Sequence, residues 1–178
     1  MAESSTRVPQ DFSKPLIALR TCHERIRKEC DALCALLAHV QAHGSDGHAR
    51  QAATSIVRYF DTAARIHHED EEEDLLPRMM AAATISRGTS LTRLVVDIAN
   101  EHREMDRCWI ELRNALQGLA AGEDTLDPLH VDRFVKLYRA HITVEEANLF
   151  PLAEMLLSRH DFAEIGSSMA QRRSRLQS

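Results

Sequence analysis

A helical hairpin is written twice in this chain. Laid over each other at an offset of 74, residues 57–77 and 131–151 keep Val57/Val131, Phe60/Phe134, Arg65/Arg139, His67/His141, Glu71/Glu145, Glu72/Glu146, Leu75/Leu149 and Pro77/Pro151. The stretches preceding them repeat at an offset of 79, so that Leu19, His23 and Cys30 match Ile98, His102 and Trp109. In both, seam residues alternate in steps of three and four: Leu19, His23, Ile26, Cys30, Leu33, Leu37, Val40 in the first and Val95, Ile98, His102, Met105, Trp109, Leu112, Leu116, Leu119 in the second. That spacing is one face of an α-helix. Long amphipathic helices joined by short loops bury their stripes against one another. The predicted fold is an all-α, up-down-up-down four-helix bundle with an internal twofold repeat.

Punctuation sets the boundaries. Ser13 with Pro15 reads as a first-turn start, Gly44 to Gly47 as the first loop, Thr89 or Ser90 as the third helix cap, and Asp127-Pro128 as the start of the fourth helix. The expected helices run over 14–43, 49–83, 90–121 and 128–158, with Pro77 and Pro151 kinking or ending the second and fourth. Residues 1–12 read as a flexible N-terminus, 13–158 as the bundle, and 159–178 as a fraying tail that can add a short helix. A length of 178 residues, 44% hydrophobic and 4% aromatic, suits one helical domain. The net charge of −5 argues against nucleic acid as a partner, and the tail residues Arg172, Arg173 and Arg175 read as solvated. No apolar run is long enough to span a bilayer, and neither a signal core nor a CxxC pair among Cys22, Cys30, Cys34 and Cys108 is present, which together place the chain in the cytoplasm with no membrane partner. A homodimer is compatible with the pattern.

The seam of the second and fourth helices turns polar. It runs Val57, Phe60, Ala64, His67, Glu71, Asp74 in one copy and Val131, Phe134, Tyr138, His141, Glu145, Asn148 in the other. His precedes Glu by four residues in each, which on a helix is about 40° of rotation and roughly 6 Å of rise, so both side chains leave one face. Unpaired imidazoles and carboxylates in a core cost several kcal/mol each, so His23, His67, Glu71, His102, His141 and Glu145 must pair among themselves or share a cation. If Glu71 and Glu145 each bridge two ions, and His23 pairs with His67 and His102 with His141, each ion receives two nitrogens and two oxygens. Two positions per ion then remain for an oxo or hydroxo bridge and an outside ligand. Mixed imidazole and carboxylate donors suit iron or manganese, and the absence of thiolate argues against structural zinc. Asp74 and Asn148, one turn beyond the ligands, are the expected orienters of the imidazoles.

In order along residues 16–157, the His23 helix, His67-x-x-x-Glu71 ending in Leu-Leu-Pro, Glu101-His102, and His141-x-x-x-Glu145-Glu146 ending in Leu-Phe-Pro resemble the hemerythrin-like HHE cation-binding domains. The resemblance implies a non-haem di-iron site within the bundle, bridged by Glu71 and Glu145. Members of that family bind dioxygen, respond to oxygen, nitric oxide or peroxide, store or sense iron, or take part in repair of nitrosatively damaged iron–sulfur centres. Oxygen-carrying members have a fifth histidine one turn before the one matching His102, and here that residue is Ile98. Tyr138, or with less support Asp106, could substitute as a ligand. The rest of the acidic run around His68, Glu69, Asp70, Glu72 and Glu73 reads as a solvated surface.

The expected function is a non-haem di-iron protein that binds or senses oxygen, nitric oxide or peroxide, or handles iron. The alternatives are a di-iron oxidoreductase reducing peroxide or nitric oxide, oxidising ferrous iron or repairing iron–sulfur centres, and a metal-stabilised interaction domain. Because Tyr138 has Ala64 as its repeat mate, an outside ligand such as azide is expected at the His23/His67 metal.

Overall fold

The computed structural model describes residues 11–86, 88–123 and 126–175, and every regular element among them is helical. The flexible segment expected over 1–12 lies outside the described residues except for Asp11 and Phe12. Helix α1 spans Pro15–His43, opened by Pro15 in its first turn and closed at Gly44, whose φ of 71° is in the left-handed region that glycine tolerates. Asp46 caps α2 (Gly47–Tyr59) by accepting the Ala49 amide at 2.8 Å. A second helical run then continues through α3 (Arg65–Asp70) to α4 (Leu76–Ser86). Helix α5 (Thr89–Ala121) follows Gly88, which caps it with no side-chain bond, so neither Thr89 nor Ser90 caps as expected. Asp127 caps α6 (Pro128–Val144) through the Leu129 amide, and α7 (Phe150–Leu156) extends that run.

The second and fourth runs are not uniform α-helix. Each opens into a π turn immediately after its histidine motif, at Glu71–Leu75 and at Glu145–Leu149, two segments related by the same offset as the repeat. A further π turn, Phe60–Ala64, occurs in the second run only. Pro77 and Pro151 follow the paired turns by two residues, and neither ends its helix. The carbonyls four residues back, which a proline ring would crowd in a regular helix, belong to the widened turns.

Helix α1 packs on α2 and α6, and α5 packs on α2, α4 and α6. Two apolar clusters result. One joins Ile26, Cys30, Leu33, Phe60, Met105, Leu112, Phe134 and Tyr138, and the other joins Leu16, Leu19, Leu75, Met79, Ile98, Leu149, Phe150, Ile165 and Met169. The buried polar residues His23, His67, His68, Asp70, Glu71, Asp74, His102, His141 and Glu145 belong to neither. Cys30 acts as a small hydrophobe, its thiol pushed up to about 12 by burial.

The C-terminal segment adds the helix that the sequence allowed, and over its described residues that helix is docked against the bundle. Helix α8 (Arg159–Ser174) starts with a reciprocal capping box between Ser158 and Asp161. Ile165 and Met169 are buried in the second cluster, and Gly166 lies so close to the segment leading into α1 that an added Cβ would meet the Phe12 carbonyl oxygen at 2.1 Å. Arg172 and Arg173, expected in solvent, reach the buried carboxylate of Asp70. Arg173 Nη2 donates to it at 2.6 Å, and Arg172 also donates to Glu73 and Asp74, each at 2.8 Å. No helix of the described residues is long and apolar enough to cross a membrane.

Candidate metal centre

The four histidines and two glutamates of the repeat converge from α1, α3, α5, α6 and the two paired π turns. Their ligating atoms form two overlapping groups, His23 with His67, Glu71 and Glu145, and His102 with His141, Glu71 and Glu145. Each glutamate touches histidines of both pairs. Glu71 lies 3.6 Å from His67 Nε2 and 3.5 Å from His102 Nε2, while Glu145 lies 3.1 Å from His23 Nε2 and 3.3 Å from His141 Nε2. All six residues are buried, and both glutamates are 0% exposed.

Proton placement shows what this cluster lacks. His23 Nδ1 faces Glu146 at 2.9 Å, His102 Nδ1 faces Glu72 at 2.8 Å, and His141 Nδ1 faces Glu101 at 2.8 Å. A carboxylate accepts, so each Nδ1 carries the proton and each Nε2 presents a lone pair inward. Those lone pairs meet one another and the carboxylates: His102 Nε2 and His141 Nε2 are 3.1 Å apart. His23 Nε2, both nitrogens of His67 and all four carboxylate oxygens of Glu71 and Glu145 lack a hydrogen-bond partner. One proton can relieve one such contact, but a ring of convergent acceptors needs cations. The donor set fits a metal site with mixed nitrogen and oxygen ligands.

The charges respond accordingly. Burial, reinforced by the neighbouring Glu145, pushes Glu71 well above the carboxylate range. Glu145 is lowered, because His141 and His23 outweigh its burial. Burial would lower His141 too, but Glu145 and Glu101 overcome it and hold the imidazole above its ordinary value. His67 is pushed well below its own by burial and by the surrounding imidazoles.

The carboxylates that orient the imidazoles are not the ones expected. Asp74 is taken up by Arg172, and Asn148 is exposed and donates to the Val144 carbonyl at 3.1 Å. Both lie within the π turns, which rotate them off the seam that a regular helix would give them. Glu72 and Glu146 do the orienting instead, and they are repeat mates acting on repeat mates, His102 and His23. Arg27 holds Glu146 in turn through two hydrogen bonds of 3.1 and 2.7 Å. The third orienter, Glu101, has Cys22 as its repeat mate, and among the described residues His67 Nδ1 has no hydrogen-bond partner.

Three other positions resolve differently. Ile98 packs in the second apolar cluster, and Asp106 is exposed and outside the donor groups. Tyr138 is buried between Phe60 and Phe134, its ring 5.7 Å from that of His68, and burial pushes its phenol well above the ordinary range. His68 is not on a solvated surface at all; it is buried beside His102. Its repeat mate, Ile142, is a seam-adjacent apolar residue, and that was the signal available in the sequence. A looser group, His39, Asp46 and His48, lies at the surface, where Asp46 already caps α2.

The geometry agrees with what the chain is similar to. The family model described as hemerythrin HHE cation binding domain matches residues 14–153. An uncharacterized protein of Haemophilus influenzae is 30% identical over 169 residues, covering 93% of this chain and 95% of its own length. This chain belongs to the hemerythrin HHE cation-binding domain family.

Proposed function

We propose that this chain is a non-haem di-iron protein that binds or senses oxygen, nitric oxide or peroxide, built on an up-down-up-down four-helix bundle with an internal twofold repeat and a fifth helix docked against it. The observation that carries the reading is the set of inward lone pairs: His Nε2 atoms fixed in that tautomer by outer carboxylates, facing two glutamates whose oxygens have no other partner. His23 and His67 would hold one ion, His102 and His141 the other, and Glu71 and Glu145 would bridge. When bound, the iron would supply redox chemistry toward a small ligand. Manganese shares the donor preference and is the competing occupant. The protein's own contribution is orientation and exclusion. Glu72, Glu101 and Glu146 lock the rings, and apolar clusters on both sides keep the donors dry, so that only a small ligand reaches them.

Iron-loaded protein should show an optical spectrum that changes reversibly with oxygen, nitric oxide or azide. Catalytic consumption of peroxide, nitric oxide or ferrous iron would instead favour a di-iron oxidoreductase. Protein grown with iron that carries no metal, or one zinc, would remove the basis of both.

A further inference from the structure

We propose that His68 is a fifth imidazole donor, serving the metal position that His102 and His141 define, so that the two metal positions are chemically unequal. The proposal rests on the di-metal reading above and goes beyond the six residues that the repeat supplies.

Consecutive residues on a helix leave it about 100° apart, so two neighbouring histidines reach one cluster only where it straddles the helix's inner face. In α3 this is the case. His67 turns toward His23, with ring centroids 4.8 Å apart, and His68 turns toward His102, with centroids 4.1 Å apart and planes within 11°. A ligating nitrogen of His68 lies within 4.8 Å of those of both His102 and His141. Two donors on one ion at bonds of about 2.1 Å sit about 3 Å apart when adjacent and about 4 Å apart when opposite, so His68 is within reach of the sphere once its ring turns out of the stack on His102. His68 is only 7% exposed, and its Nε2 is buried with no hydrogen-bond partner.

Packing alone does not call for an imidazole here. The fourth helical run places Ile142, fully buried, at the matching position. A histidine at its repeat mate carries a polar atom into the same kind of site without satisfying it, which is unfavourable unless something beyond the protein's own hydrogen bonds takes up the lone pair. His102 and His141 already present theirs to the same point.

Mössbauer spectra of iron-loaded protein test this. The wild type should give two doublets of equal area and unequal splitting. In His68→Leu one doublet should shift while the other stays, with two irons per chain retained, and free imidazole added to His68→Ala should return the shifted doublet toward its wild-type position. Should the leucine variant fail to fold, His68→Gln is read in the same way. Two irons whose doublets are both unmoved by the substitution would overturn the proposal and leave the di-iron reading standing. Absence of an iron pair from the wild type would overturn both.

Discussion

At the scale of the residue, the centre is decided by which nitrogen of each histidine carries the proton. Outer carboxylates take Nδ1–H, so Nε2 is left as a donor atom, and three of the four paired histidines are fixed in this way. Replacing Glu71 or Glu145 by alanine should remove both metals, because each contacts both histidine pairs. Glu72→Ala and Glu146→Ala should keep the sites but weaken them by roughly 10–100-fold, the usual cost of losing an orienting partner. Competition with a graded series of chelators measures this, and equal, complete loss in all four variants would mean that the inner and outer glutamates are not distinct. The inner donors were legible in the sequence because four histidines and two carboxylates occupied a stripe that should be apolar. The outer ones were not, since no periodicity says which of two adjacent glutamates faces inward and which faces a neighbouring helix's imidazole.

At the scale of the element, the π turns explain where helical counting goes wrong. Up to Glu145 the fourth run keeps a uniform period, and in the second run Ala64, His67 and Glu71 stay buried despite the earlier Phe60–Ala64 turn; from Glu71 and Glu145 onward each run admits about one extra residue, and Asp74 and Asn148 leave the seam. The docking of helix α8 was illegible for another reason. Its buried anchors, Ile165, Gly166 and Met169, are too few to make a stripe, and its arginines look like any basic tail. Yet those arginines neutralise Asp70, fully buried one residue before the Glu71 turn. Removing both with Arg172→Ala and Arg173→Ala leaves an unpaired buried carboxylate and should cost about 3–5 kcal/mol. Gly166→Ala should also destabilise, since a methyl cannot fit against the Phe12 carbonyl. Urea denaturation reads both, and an unchanged midpoint in the double arginine variant would show that α8 is dispensable.

At the scale of the whole molecule, a polar layer lies between two apolar clusters, and it is stable only when its charges are matched. With metal chelated, burial and the neighbouring Glu145 favour the protonated form of Glu71, whereas the unfolded chain titrates it at an ordinary carboxylate pKa. A raised folded-state pKa contributes stability that is full below about pH 4 and is lost as pH rises through the raised value. Glu71's share of the urea midpoint should therefore fall between pH 5 and pH 8, against the opposite trend of His67 and His68, whose lowered values favour folding as pH rises. Glu71→Gln should flatten that slope, and metal, by displacing the proton, should bind more tightly as pH rises. The same layer is asymmetric. Tyr138 and His68 crowd the His102/His141 side, while Ala64 and an imidazole without an orienting carboxylate mark the His23/His67 side, so azide soaked into crystals should appear on the latter; azide at the former would contradict the asymmetry. The most direct test of the central claim is elemental analysis of protein expressed with iron, alongside its Glu71→Ala and Glu145→Ala variants: two irons per chain in the parent and none in either variant is the predicted result, and a single zinc, no metal, or iron that survives both substitutions would contradict it.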